Sequence, residues 1–159
     1  MKAPQIHYAA LEDEHWTSHE ADNVRIVVDF FQKLMNEHDF EHTLAAHGAS
    51  PYLQHNRAIP PQISGLVDYV RDMARRFPEY SFDVKRALAK GDFVVLHSHA
   101  TVRAKHRCDA SKGFIITDTF RLENGRLAEH WDAIQPIDVL TRLLFLFIGG
   151  KVANGNSTF

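Results

Sequence analysis

The feature that most constrains this chain is a change of hydrophobic period at Pro78. Before it, apolar residues recur every three or four positions; after it, they alternate. Val24, Val27, Val28, Phe31, Leu34 and Met35 give one apolar face to a helix from Asp22 to His38, with Asp22 as its N-cap. A short helix from Asp39 to Ala46 stops at Gly48, and Ser50 to Asn56 reads as extended or loop. Pro60 and Pro61 precede a helix from Ser64 to Phe77 that buries Leu66, Val67, Val70, Met73, Ala74 and Phe77. Four strand-like segments follow: Tyr80–Leu88, Phe93–Arg107, Gly113–Leu122 and Leu127–Gln135. Lys90-Gly91-Asp92, Ser111-Lys112-Gly113 and Asn124-Gly125 separate them as turns. A last helix runs from Pro136 to Ile148. Segregated helices and strands predict an α+β fold in which helices cover one face of a curved antiparallel sheet. The mouth of such a cone is a natural small-molecule site.

Size and composition narrow the function. The chain has 159 residues, which fits one domain: a polar arm over 1–21, read as loose or as a short extra helix, a domain over 22–148 and a tail over 149–159. A formal net charge of -2 lacks the basic excess of a nucleic-acid binder. The single cysteine, Cys108, forms neither an intrachain disulfide nor a multi-cysteine zinc site, so a cytoplasmic location is expected. The first residues carry no secretory pattern. The apolar run Leu143 to Gly149 falls well short of the roughly 20 residues that span a bilayer, so no membrane role is expected. No phosphate-binding glycine loop, G-x-S-x-G elbow or H-E-x-x-H motif occurs.

Polar residues on apolar strand faces point to a site. Positions 114, 116, 118, 120 and 122 read Phe, Ile, Asp, Phe, Leu, so Asp118 interrupts a buried face. A buried carboxylate either finds hydrogen bonds or is pushed towards its protonated form, and both outcomes suit acid–base chemistry. A structural carboxylate satisfied by backbone N–H groups or an arginine is the plainer alternative.

What shares a face with Asp118 depends on the turn after it. A two-residue type I′ turn at Asn124-Gly125 pairs Glu123 with Arg126 and, in a regular ladder, turns Trp131 towards Asp118. A three-residue loop with a G1 bulge at Gly125 pairs Leu122 with Arg126. His130 then faces Asp118, and Asp132 faces Ile116. We expect the bulged loop, which gathers Asp118, His130 and Asp132 on one face.

The sequence has 11 histidines. His97 and His99 share a strand face and either line a pocket, bind a metal or face solvent or another subunit. His15 and His19, spaced i, i+4 near Glu12 and Glu20, have no third ligand at defined spacing, and a polar arm is expected there. His7, His38, His42, His47 and His106 read as surface residues.

Three stretches together resemble a known family. They are Tyr52-Leu53-Gln54-His55-Asn56, Gly91 to His97, and Asp118 to Asp132 with Gln135-Pro136. In this order they are similar to the SnoaL-like polyketide cyclases of the nuclear-transport-factor-2-like (cystatin-like) superfamily, over Asp22 to Ile137. The resemblance implies a cone with helices in the concavity of the sheet, homodimers through the sheet, and no metal or other cofactor. It implies ring closure by intramolecular aldol condensation, with the main catalytic aspartate at Asp132. A catalytic-site histidine of the cyclases matches Asp118, a departure that makes a carboxylate pair. By resemblance, Gln54 and His55 lie near the pocket mouth.

The expected function is therefore acid–base catalysis on a small, largely apolar carbonyl compound, by aldol-type cyclisation or isomerisation. Asp132 removes a proton or activates water; protonated Asp118 or His130 donates one. Trp131, Phe120, Phe114, His55, His97 and Gln54 are the expected pocket residues. A non-catalytic, dimeric ligand-binding module and a metalloenzyme using His55, His97, His99 or His130 are the alternatives.

Overall fold

The computed structural model describes residues 3–148 and 153–157. Helix α1 (Ser18–Phe31) continues into a π-helical turn, Gln32–Glu37. Then come α2 (Phe40–His47), β1 (Leu53–Gln54), α3 (Gln62–Arg76), β2 (Ser81–Lys90), β3 (Phe93–Thr101), β4 (Phe114–Glu123), β5 (Arg126–Pro136) and α4 (Val139–Ile148). The sheet order is β1-β5-β4-β3-β2. The expected antiparallel meander is present, and the 50–56 segment adds β1 as a parallel strand beside β5, which makes the sheet mixed.

The helices bury their apolar stripes on one sheet face. Phe30 and Phe31 of α1 meet Phe120 edge-on, and Phe31 also meets Phe82. Val24, Val27, Leu34, Ile63, Val67, Leu96, Leu122 and Leu127 complete a core with almost no exposure. The π turn brings Asn36 inward, where its amide donates to the Phe82 carbonyl and accepts from the Phe82 N–H, replacing a strand partner for β2.

Three expectations about elements are corrected. Asp22 is not the N-cap of α1. Thr17 is, in a reciprocal capping box with Glu20, and the spacing Thr17-Ser18-His19-Glu20 is the local signature for it. The arm before it is pinned, not loose: the Ile6 N–H donates to Gln32 Oε1, and Asn36 Nδ2 donates to the Pro4 carbonyl. Strand β3 ends at Thr101, where its ladder with β4 runs out, and a 3₁₀ turn at Ala104–His106 follows.

The apolar run near the C-terminus forms the second half of α4, and no helix among the described residues is long and apolar enough to cross a membrane. Gly149 and the tail residues 150–152, 158 and 159 lie outside the described residues.

Candidate active site

The geometry of the site is set at the β4–β5 turn. Asn124 and Gly125 both have positive φ, 52° and 71°, and Glu123 pairs with Arg126, so the turn is the two-residue one. The expected three-residue loop is therefore wrong. The register is reset two residues later. Leu122 pairs with Leu127, but Arg121 pairs with Glu129, so Ala128 is an extra residue in β5. Leu127 and Ala128 are both buried, which the small Ala128 side chain permits. The bulge restores the parity that the turn had inverted. Asp118, His130 and Asp132 share the inner face, with His130 opposite Phe120 and Asp132 opposite Asp118.

These three side chains lie at the polar end of a cavity of about 110 Å³. Its other walls are apolar, among them Met35, Leu66, Val70, Phe82, Phe114 and Ile134. Among the described residues, no lysine or arginine lines it. Asp118 is 3% exposed and His130 4%. Asp118 Oδ1 lies 3.1 Å from His130 Nε2, while Asp118 Oδ2 has no hydrogen-bond partner among the described residues. Burial pushes the Asp118 carboxyl up; the His130 hydrogen bond opposes this, and the Asp132 charge adds to it.

The strand β1 and the loop after it hold the ring of His130. Gln54 Oε1 accepts the Asn56 N–H at 2.8 Å, which fixes the amide orientation. Gln54 Nε2 donates to the Tyr52 hydroxyl at 3.0 Å. His130 Nδ1 lies 3.1 Å from Gln54 Nε2 and 3.3 Å from Gln54 Oε1, so the amide holds the ring with Nε2 facing Asp118 Oδ1. Phe120 stacks on the His130 ring at 4.5 Å and holds it from beside. Burial, with the nearby Asp118 and Asp132 charges, keeps the Tyr52 phenol well above its ordinary range and therefore neutral.

Asp132 is half-buried, and its two oxygens sit 2.8 and 2.7 Å from Asn56 Nδ2. Asn56 Oδ1 accepts the Ala58 N–H, so that amide is fixed too. Asn56 was not among the expected site residues. Its spacing from Gln54, i and i+2 in an extended segment, is the signal that pointed to it.

Several expected pocket residues lie elsewhere. Trp131 alternates with His130 and Asp132, so it is on the outer face, where His55 stacks on it at 4.3 Å. His55 does not face the inner cavity; its Nε2 lies 2.9 Å from Glu129 Oε2. His97 is also on the outer face, beside Arg86, and His99 donates to the Lys112 carbonyl. Phe114 does line the cavity. Phe120 and Gln54 act through His130 and do not form cavity wall.

Other polar groups have structural partners. His19 pairs with Asp92, and Glu20 holds Thr17 and the Gly91 N–H. His38 and His47 are half-buried rather than surface residues: His38 stacks on Phe40 and Tyr80, and His47 meets Phe30 edge-on.

The model of the SnoaL-like polyketide cyclase family matches residues 25–143. Among solved structures, a candidate polyketide cyclase from Bacillus cereus ATCC 10987 is 17% identical. The similarity covers 94% of this chain and 93% of that one, with a TM-score of 0.65. TsrD from Streptomyces laurentii is 25% identical over 80% and 95% of the two chains, with a TM-score of 0.58. An LEH-like epoxide hydrolase from M. tuberculosis is 18% identical over 82% and 98%, with a TM-score of 0.55. A comparison with curated proteins gave no match.

Proposed function

The chain belongs to the SnoaL-like polyketide cyclase family, and from that premise we propose that it is an acid–base enzyme acting on a small, uncharged, largely apolar carbonyl compound. The observation that carries this reading is Asp118: it lines an apolar cavity beside a second carboxylate, and its buried Oδ2 has no partner among the described residues. Two carboxylates this close favour one shared proton at neutral pH.

In this reading Asp132 is the base. It sits at the less buried end of the triad, and Asn56 orients it through a single amide nitrogen, which leaves oxygen lone pairs open to substrate. It removes a proton next to the substrate carbonyl. Asp118 donates from Oδ2 to the enolate oxygen as negative charge develops there. His130 holds Asp118 Oδ1 and leaves Oδ2 for that proton. Aldol ring closure and isomerisation share this first step. The two carboxylates in a wall that is otherwise mostly apolar disfavour anionic substrates.

The test is turnover of uncharged ketones and diketones by wild type and Asp132→Asn. The reading expects turnover by the first and none by the second, with ligand still bound. Binding without turnover by wild type would instead support a non-catalytic binding module.

One observation favours a second reading. A ligand atom from each of Asp118, His130 and Asp132 lies within 4.8 Å of the others, a spacing that suits a divalent cation. Stoichiometric metal in protein purified without an affinity tag would support it. Metal-free protein with full activity would remove it.

A further inference from the structure

We infer that Asn154 is a positioning residue for the Asp118–His130–Asp132 site, acting through the loop that carries Gln54 and Asn56. The inference rests on the reading of those three side chains as the reacting groups.

The loop's own support is short-range, apart from the His55 N–H donating to the His130 carbonyl: the Asn56 N–H donates to Gln54 Oε1 and the Ala58 N–H to Asn56 Oδ1. Strand β1 pairs with β5 through only Leu53 and Gln54, and no regular element follows until α3. Yet this segment supplies both amides that orient the site: Gln54 on His130 and Asn56 on Asp132. It also supplies Ile59 to the cavity wall.

Residues 153–157 hold that segment. The Ala153 N–H donates to the Arg57 carbonyl at 2.6 Å. Asn154 Nδ2 donates to the carbonyls of Asn56 at 2.9 Å and Ile59 at 2.7 Å. Asn156 Nδ2 donates to the Gln54 carbonyl at 2.8 Å, and His55 Nδ1 donates to the Ser157 carbonyl. Four carbonyls of the loop, those of Gln54, Asn56, Arg57 and Ile59, are thus held by donors from nearly 100 residues away in sequence.

Asn154 is the centre of this arrangement. It is buried, both of its amide hydrogens are used, and its Oδ1 accepts the Asn156 N–H at 3.0 Å. Aspartate has the same shape but no donors, and it would set a carboxylate against two carbonyl oxygens. Alanine would leave both carbonyls without a partner in a buried place. In either case the loop loses its clamp at the residue whose side chain orients Asp132.

The test follows the loop and the site by NMR in Asn154→Ala and Asn154→Asp, so it needs no substrate and remains decisive if the proposed reaction fails. The Asn56 backbone amide, which donates to Gln54 Oε1, should exchange about tenfold faster, as expected from losing two ordinary hydrogen bonds. The His130 ring-nitrogen signals should shift, while amides in β3 such as Val94 and Leu96 exchange as in wild type. Asn156→Ala, which removes one bond, should move the same signals less and covers the case in which an Asn154 variant does not fold. Unchanged Asn56 and His130 signals in the folded variants would overturn the inference. So would a uniform acceleration across the sheet, which marks a structural role alone.

Discussion

Asp118 and Asp132 are direct cross-strand partners in β4 and β5, and they are so because of one extra residue, Ala128. Without the bulge, the type I′ turn would place Trp131 on the inner face and turn both Asp132 and His130 outward. The bulge thus decides which chemistry the sheet presents to the cavity.

Asp118 should destabilise the protein increasingly as pH rises. Its folded-state pKa lies above the ordinary carboxylate value. The folded state therefore binds the proton more tightly than the unfolded one, and stability is fullest at low pH and is lost as pH rises through the folded-state value. Asp118→Asn removes that ionisation. Thermal denaturation from pH 4 to pH 8 should show the variant gaining on wild type with pH, while turnover is lost. A stability difference that does not change with pH would contradict this.

Glu20 acts in the opposite sense. Hydrogen bonds from Thr17 and Gly91 hold its carboxyl down at about 2. Its contribution is present above the ordinary carboxylate range and is lost as pH falls towards 2. Glu20→Gln should therefore cost stability at pH 7 and much less near pH 2, measured by denaturant unfolding at each pH.

Thr17→Ala breaks the capping box of α1 and should cost about 1 kcal/mol. Because Thr17 caps the N-terminal end of α1, while Phe30 and Phe31, which pack on Phe120, lie at its other end, turnover should be retained in urea-free buffer. Chemical denaturation and an activity assay check both parts.

Gly125→Ala tests the turn alone. The residue has φ of 71°, and an added Cβ would meet only Ile26 Cδ1, at 3.9 Å. The cost should come from the backbone, about 1 kcal/mol, with the site intact. A lost site in a folded variant would mean that the turn, and not the bulge, sets the register.

The sequence was most legible where a pattern is long. The period change at Pro78 separates the helices from the four antiparallel strands β2–β5, and the break in alternation at 118 locates the buried carboxylate. The turn type was not legible, because Asn-Gly suits both a two-residue loop and a G1 bulge. The Ala128 bulge compensates within β5, so the right set of residues on the inner face came from the wrong loop. His55 and Trp131 lie on the outer face, where they line a second pocket with Asn56 and Asp132; alternation with His130 and Asp132 puts Trp131 there. The support from Asn56 and Asn154 depends on contacts distant in sequence, which no local pattern records.

The outer sheet face bears on assembly. Leu88, Phe93 and Ile115 are exposed there, and Phe93 lies beside Trp131. If the chain pairs through this face, as the family resemblance implies, Phe93→Lys should convert a dimer to a monomer in analytical ultracentrifugation with little change in thermal stability. A monomeric wild type would contradict that pairing.

The central claim is that the Asp118–Asp132 pair holds one proton at neutral pH, on Asp118. Carbon-13 NMR of protein labelled at the aspartate carboxyls measures this without a substrate. One carboxyl signal at the protonated position at pH 7, absent in Asp118→Asn and retained in Asp132→Asn, is the result expected. Two ionised carboxylates at pH 7 in metal-free protein would contradict the account.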